Sequence, residues 1–221
     1  MAFATINGKD VLTALLSVPL GGTWRLDATV DAESAEGLTG DLTLSLDEGR
    51  STWRCRAYRS ADAFGRVELR AVGGAGGLAK VLEGQSYRQV TARVVVADLL
   101  ELAGEQLDPT AEEALLSTLL PHWTRDAGLC SQQLARVVDA LGAGWRVLPN
   151  GKVWLGLETW PSAPVFEYDV LRKLPADGRL ELGAVQGYRL VPGQTFEGQR
   201  VGRVEHRVMP EAIRTSVWFD P

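Results

Sequence analysis

Residues 72–80, VGGAGGLAK, place four glycines ahead of a lysine, the composition of a loop whose amides could cradle a phosphate. A P-loop requires G-x-x-x-x-G-K-[ST], so that amides, lysine and hydroxyl converge on a nucleotide and its Mg2+. Here Ala79 precedes Lys80 and Val81 follows it; the last glycine and the hydroxyl are both missing. Gly74, Gly76 and Ala79 do fit a loose G-x-G-x-x-[GA]. That fingerprint needs a βαβ unit whose helix points its N-terminus at a pyrophosphate, and few residues separate Ala79 from Gly84. The stretch reads better as a connector by which the chain leaves one sheet and enters the next module.

Other chemistries are equally thinly supplied. GQSYR offers Gly84 and Ser86 but has Arg88 where a nucleophile elbow needs glycine. There are two histidines. His206 lies between Val204 and Val208 on one strand face, the setting of a hydrogen-bonded core or interface histidine. His122, with Pro121, Trp123 and Arg125, reads as a loop leaving a helix, where polar and aromatic side chains can form a contact site; the favoured reading is that Trp123 packs under the following helix. Two carboxylates could hydrolyse a glycan, and seven tryptophans could line a sugar groove. The acids, however, sit mostly on wet faces: Asp27, Asp31, Glu68, Glu112, Glu113. Trp24, Trp53 and Trp145 fall on apolar sides, where core is the default. Two cysteines and two histidines are scattered without zinc spacing, so no metal and no cofactor is expected, and Cys55 and Cys130 read as buried thiols.

The 221 residues are 45% hydrophobic and 23% charged, with net charge −5, a globular composition. Neither a signal peptide nor a membrane-spanning run is evident, so residence in the cytoplasm, or exit from it only as part of an assembly, and no membrane insertion are expected. Charge is uneven. Residues 1–50 carry three Lys/Arg against eight Asp/Glu, residues 51–93 eight against three, and residues 94–133 one against seven.

The elements that must hold these residues change period twice. TWRLDATVDA, GDLTLSLDE, TWRCRAYR and RVELRAV alternate apolar and polar residues, predicting half-buried antiparallel strands in a meander or small barrel. VVVADLLELAGE places Val95, Leu99 and Leu102 on a helical stripe ending at Gly104. TAEEALLSTLL opens with Thr110 and Glu113 at capping-box spacing. SQQLARVVDALGAGW carries Leu134, Val137, Val138 and Leu141 at helical spacing, with Ser131 as cap and Gly142 or Gly144 as stop. Asn150-Gly151 then predicts a hairpin facing Trp145 and Val147 toward Val153 and Leu155. Residues 159–166 connect to a last β-region containing RVEHRV and AIRTSVWF, with Pro192-Gly193 suited to a type II turn.

Taken in order, GGTWRLDA, AVGGAGGL, VVVADLLELAGE, LPHWTR, LGAGWRVLPNGKVWLG, PGQTFEGQRV and VEHRVMPEAIRTSVWF resemble the baseplate hub proteins of contractile-tailed bacteriophages, most closely the Mu-like tail hubs. The most specific portion is PGQTFEGQRVGRVEHRV with RTSVWF, a Pro-Gly turn leading into paired terminal strands. The resemblance implies an α+β, mainly β fold. Two tube-type antiparallel β-domains, 1–72 and 161–221, would flank a helix-and-hairpin module, 73–160. It further implies a non-enzymatic structural hub: a homotrimeric ring adapting a hexameric tail tube to a trimeric spike, contacting other baseplate proteins, with DNA in transit through its lumen. Its place would be the virion tail baseplate, assembled in the bacterial host cytoplasm. Many such hubs are considerably longer. The competing reading is a tail-associated peptidoglycan hydrolase or glycan-binding module. Interface or lumen candidates are Asp27, Asp31, Asp41, Asp47, His122, Trp123, Arg125 and His206; an acidic lining of the first strands would repel DNA and let it slide.

Overall fold

The computed structural model describes residues 3–210 and 212–220. It divides into two compact units, Met1–Gly73 with Thr159–Pro221, and Gly74–Glu158.

The first unit opens with β1 (Ala4–Ile6), β2 (Lys9–Pro19), β3 (Arg25–Val30), β4 (Gly40–Leu46), β5 (Ser51–Asp62) and β6 (Val67–Gly73). Neighbours are antiparallel in the order β1-β4-β5-β6-β3-β2, and β1 also pairs with β2, closing a six-stranded barrel. Two turns need positive φ at both central residues: Asn7-Gly8 (49°, 80°) and Phe64-Gly65 (52°, 77°), the mirror-image turns that match strand twist. Inside lie the alternating residues read from the sequence, among them Leu26, Val30, Leu44, Leu46, Val67 and Ala71. Trp24 and Trp53 meet edge to face, with centroids 5.2 Å apart. A Cβ on Gly73 would lie 2.4 Å from Trp24 Nε1, so only glycine lets β6 pass the indole. β2 escaped the sequence reading because a bulge between Val11 and Thr13 switches its parity: Val11 is buried on one side of it, and Ala14, Leu16 and Val18 on the other.

The second unit holds β7 (Val81–Leu82), β8 (Gln85–Thr91), α1 (Ala92–Ala103), α2 (Glu113–Leu116), β9 (Leu119–Arg125), β10 (Gly128–Leu129), α3 (Cys130–Ala140), β11 (Gly144–Val147) and β12 (Val153–Gly156). β7 pairs with β10, β8 with β9 and β11 with β12. Helix α1 ends at Gly104 (φ 76°), where the Glu105 N–H bonds Leu100 O. Its buried stripe is Val95, Val96, Leu99, Leu100 and Ala103; Leu102, expected on it, is exposed. The capping box at Thr110 does not form. Asp108 takes the Thr110 N–H, and α2 is a single turn. The following residues, expected to continue a helix and then form a loop, instead run as β9 against β8. Leu119, Leu120, Trp123 and Thr124 suit a strand once a partner supplies the ladder. Ser131 does not cap α3, which already begins at Cys130, but Gly142 stops it as expected. The Asn150 hairpin forms with Trp145 opposite Leu155 and Val147 opposite Val153.

The chain then returns to the first unit as β13 (Asp169–Leu174), β14 (Arg179–Gly183), β15 (Thr195–Phe196), β16 (Gln199–Met209) and β17 (Ala212–Phe219). β2 is long enough to serve two partners. Lys9 and Asp10 pair with β1, while Ala14–Pro19 pair with β16. From there the sheet continues β16-β17-β14-β13, eleven strands in all among the described residues, including β15 against β16. Phe166 stacks parallel to Phe196 at 6.0 Å, over Leu182, Leu190, Val201, Val204 and Val217. The protein is therefore mainly β. The barrel end of the sheet is closed by β1, so open edges are not found at both ends of the chain; the free edge of the path is β13.

Candidate functional site

The glycine loop does form an anion cradle, and the protein fills it itself. Glu105, buried just beyond α1, accepts the Ala75 N–H through Oε2 and the Gly77 N–H through Oε1, each at 2.9 Å. Gly74 adopts φ 81°, and a Cβ there would come within 2.6 Å of Glu105 Oε2. Lys80 donates to the carbonyls of Leu102 and Ala103, capping α1 where its unpaired C=O groups accumulate. Both the amides and the lysine that a phosphate would need are thus engaged.

Arg125 is buried rather than placed for contact. It reaches Glu83 O (3.0 Å), Gln85 Oε1 (3.2 Å), Tyr87 Oη (3.1 Å) and Asp98 Oδ2 (2.6 Å), tying β8 and β9 to α1. Tyr87 also donates to Asp98; burial and this carboxylate raise its phenol to about 12. His122 is exposed on β9 opposite Arg88, and Trp123 is half-buried opposite Tyr87. Neighbours in sequence, these three therefore do not converge. His206 is fully buried on β16 between Leu16 of β2 and Thr215 of β17, with Nδ1 3.0 Å from Thr215 Oγ1. Burial pushes its imidazole down to about 4.

The four aspartates separate. Asp47 sits in the turn after β4 (φ 50°) and accepts the Tyr188 hydroxyl at 2.6 Å. Asp41 pairs with Arg56 at 2.9 Å and Asp27 with Arg70 at 3.3 Å, both exposed. Asp31 is exposed in the loop after β3. The face bearing Asp27 is basic rather than acidic. Strand register lines up Arg59 (β5), Arg70 (β6), Asp27 (β3), Leu15 (β2), Arg207 (β16) and Arg214 (β17) in one cross-strand row. A groove of about 540 Å³ crosses this face. Glu68 also lines it, but neither Glu68 nor Asp27 is buried, so the apolar enclosure that holds a proton on a general acid is lacking. The row joins residues from both ends of the chain, and no local motif announces it. Its one signal was the basic excess of residues 51–93.

A second groove, of about 950 Å³, runs beside the β13 edge. Its lining includes Leu171 and the strongly exposed Val165 and Val185. Cys55 and Cys130 are buried free thiols, one in each unit; burial raises them to about 12 and about 11. Among the described residues no group of three His, Cys, Asp or Glu side chains could hold a metal ion, and no helix is long and apolar enough to cross a membrane.

No family model matches the sequence, and no curated protein does. Solved structures do. The Escherichia coli c3393 protein is a type VI secretion system component with structural similarity to the T4 bacteriophage tail proteins gp27 and gp5. It aligns with TM-score 0.69 and 14% identity over 99% of this chain and 76% of its own. The 43 kDa tail protein of prophage MuSo2 from Shewanella oneidensis aligns at 0.65 and 8% identity, covering 98% and 96%. The tail protein from Neisseria meningitidis MC58 aligns at 0.64 and 10% identity, covering 99% and 96%. The chain shares the fold of these proteins over nearly its whole length.

Proposed function

We propose that this protein is a structural hub in the baseplate of a phage-like contractile tail. In this reading three copies form a ring that adapts a hexameric tail tube to a trimeric spike. Residues 1–72 and 161–221 act as its two tube-type β-domains and 73–160 as an inserted helix-and-hairpin module, with tail tube, spike and other baseplate proteins as partners. DNA passes through the lumen, and the chain carries no catalysis of its own.

The observation that carries this reading is the continuous sheet. Both ends of the chain contribute to it through the β2–β16 pairing, and it stops at β13 with its outer hydrogen-bonding groups free. An open edge flanked by exposed apolar side chains is a ready-made site for pairing. A closed cyclic assembly of identical chains uses such an edge without leaving it to aggregate. The fold shared with tail proteins supports the same reading.

The test is multi-angle light scattering with electron microscopy of the purified protein. A three-fold ring of about three chain masses is expected. A monomer at all concentrations that also cleaves purified peptidoglycan would overturn the proposal in favour of the hydrolase.

A further inference from the structure

From the register of the sheet we infer that the face carrying Arg59, Arg70, Arg207 and Arg214 binds the phosphate backbone of duplex DNA independently of base sequence. This assigns a surface to the DNA contact of the hub reading and rests on that reading only for its setting.

Three observations carry it. First, Arg59 stands directly opposite Arg70, and Arg207 directly opposite Arg214. Like charges facing each other across a ladder destabilise a sheet, and this row does so twice. Asp27 offsets Arg70 alone; among the described residues Arg59, Arg207 and Arg214 have no carboxylate partner. An anion from outside would relieve that repulsion.

Second, the charges follow one another across the sheet. With strands about 4.8 Å apart, five steps from β5 to β17 make a row about 24 Å long measured along the curved sheet, with Arg70 and Arg207 three steps, about 14 Å, apart along it. Such a row suits a polyanion lying across the strands. Third, the groove that holds Arg59, Arg70 and Arg207 is otherwise lined by small and aliphatic side chains, such as Thr13, Leu15 and Ala61, and by the carboxylates Asp27 and Glu68, with no aromatic ring on which a base could stack. Contacts made only to phosphates position a duplex without reading it. The chain as a whole is acidic, with net charge −5, so attraction must come from this local row. Among the described residues that line the groove there is likewise no aromatic anchor of the kind a protein interface uses.

The test is fluorescence anisotropy with a labelled duplex of about 30 base pairs, measured from about 50 to about 200 mM salt. Four phosphate contacts give a slope of log K against log salt of about −3.6, an affinity loss of about 150-fold over that range. In the double variant Arg207→Gln/Arg214→Gln the slope falls to about −1.8 and the loss to about 12-fold. Arg172→Gln on β13 leaves both unchanged. No binding by the parent protein at low salt overturns the inference, as does an unchanged slope in the double variant. So does a duplex-blind protein whose oligomer falls apart in the double variant, since that face would then meet a second copy of the chain. Light scattering on the same samples separates the two readings. A monomer that binds duplex removes the ring and keeps the face; a trimer that binds none does the reverse.

Discussion

Gly77 lies against the end of α1 so closely that a Cβ on it would stand 1.7 Å from the Ala103 carbonyl oxygen. The contact is backbone on backbone, so no side-chain rotamer can relieve an added methyl. Gly77→Ala is expected to destabilise the second unit by about 3 kcal/mol or more, through displacement of the turn from α1. Urea denaturation followed by circular dichroism measures it. A loss under about 1 kcal/mol would mean that the loop can shift freely.

Glu105 occupies the place a phosphate would take. Glu105→Ala leaves the Ala75 and Gly77 N–H groups without an acceptor, at an expected cost of about 2 to 5 kcal/mol; Glu105→Gln, which retains a neutral acceptor, costs about half as much. Nucleotide added to the parent protein leaves its melting temperature where it was. A nucleotide-induced rise in melting temperature would show that the carboxylate can be displaced.

Period-two alternation exposed β3 to β6 because each has one face in the barrel core, and helix stops at Gly104 and Gly142 were legible because positive φ selects glycine there. What stayed hidden depended on partners distant in sequence. β9 read as a helix end and the loop after it until β8 gave its amides a ladder. Arg125 looked like a loop residue until Asp98 and Tyr87 closed around it. The arginine row exists only through register between strands from opposite ends of the chain. The Asn7-Gly8 turn was written in the sequence as plainly as Asn150-Gly151, but the bulge in β2 disguised the strand that follows it.

His206 makes stability depend on pH. Its imidazole stays neutral in the fold down to about 4, whereas in the unfolded chain it takes a proton near 6.5. Between those values the unfolded state binds more protons, so stability falls as pH falls through that window, by about 3 kcal/mol in all. His206→Leu loses the Thr215 contact and is less stable at neutral pH, but its stability varies less between pH 6.5 and 4. Chemical denaturation across that range, parent against variant, gives the difference directly; parallel curves would exclude His206 as the source.

The Arg125 guanidinium spans four acceptors contributed by four different residues. Arg125→Ala strands the Asp98 carboxylate beside the Tyr87 hydroxyl and costs about 3 kcal/mol. Arg125→Lys keeps the charge but not the planar fork and falls between the two. Thermal melts of the three proteins rank them; a lysine variant equal to the parent would reduce the network to a point charge.

The edge at β13 separates folding from assembly. Val165 and Val185 are exposed beside it and support little of the monomer's core, so Val165→Asp/Val185→Asp is expected to change the chain's own stability by less than about 1 kcal/mol. In a ring built on this edge the same two carboxylates are driven into an apolar contact, where an unpaired charge is costly. The double variant should therefore sediment as a monomer with a parent-like circular dichroism spectrum. A variant that still assembles shows that copies meet elsewhere, and a variant that unfolds shows that the two valines belong to the core after all.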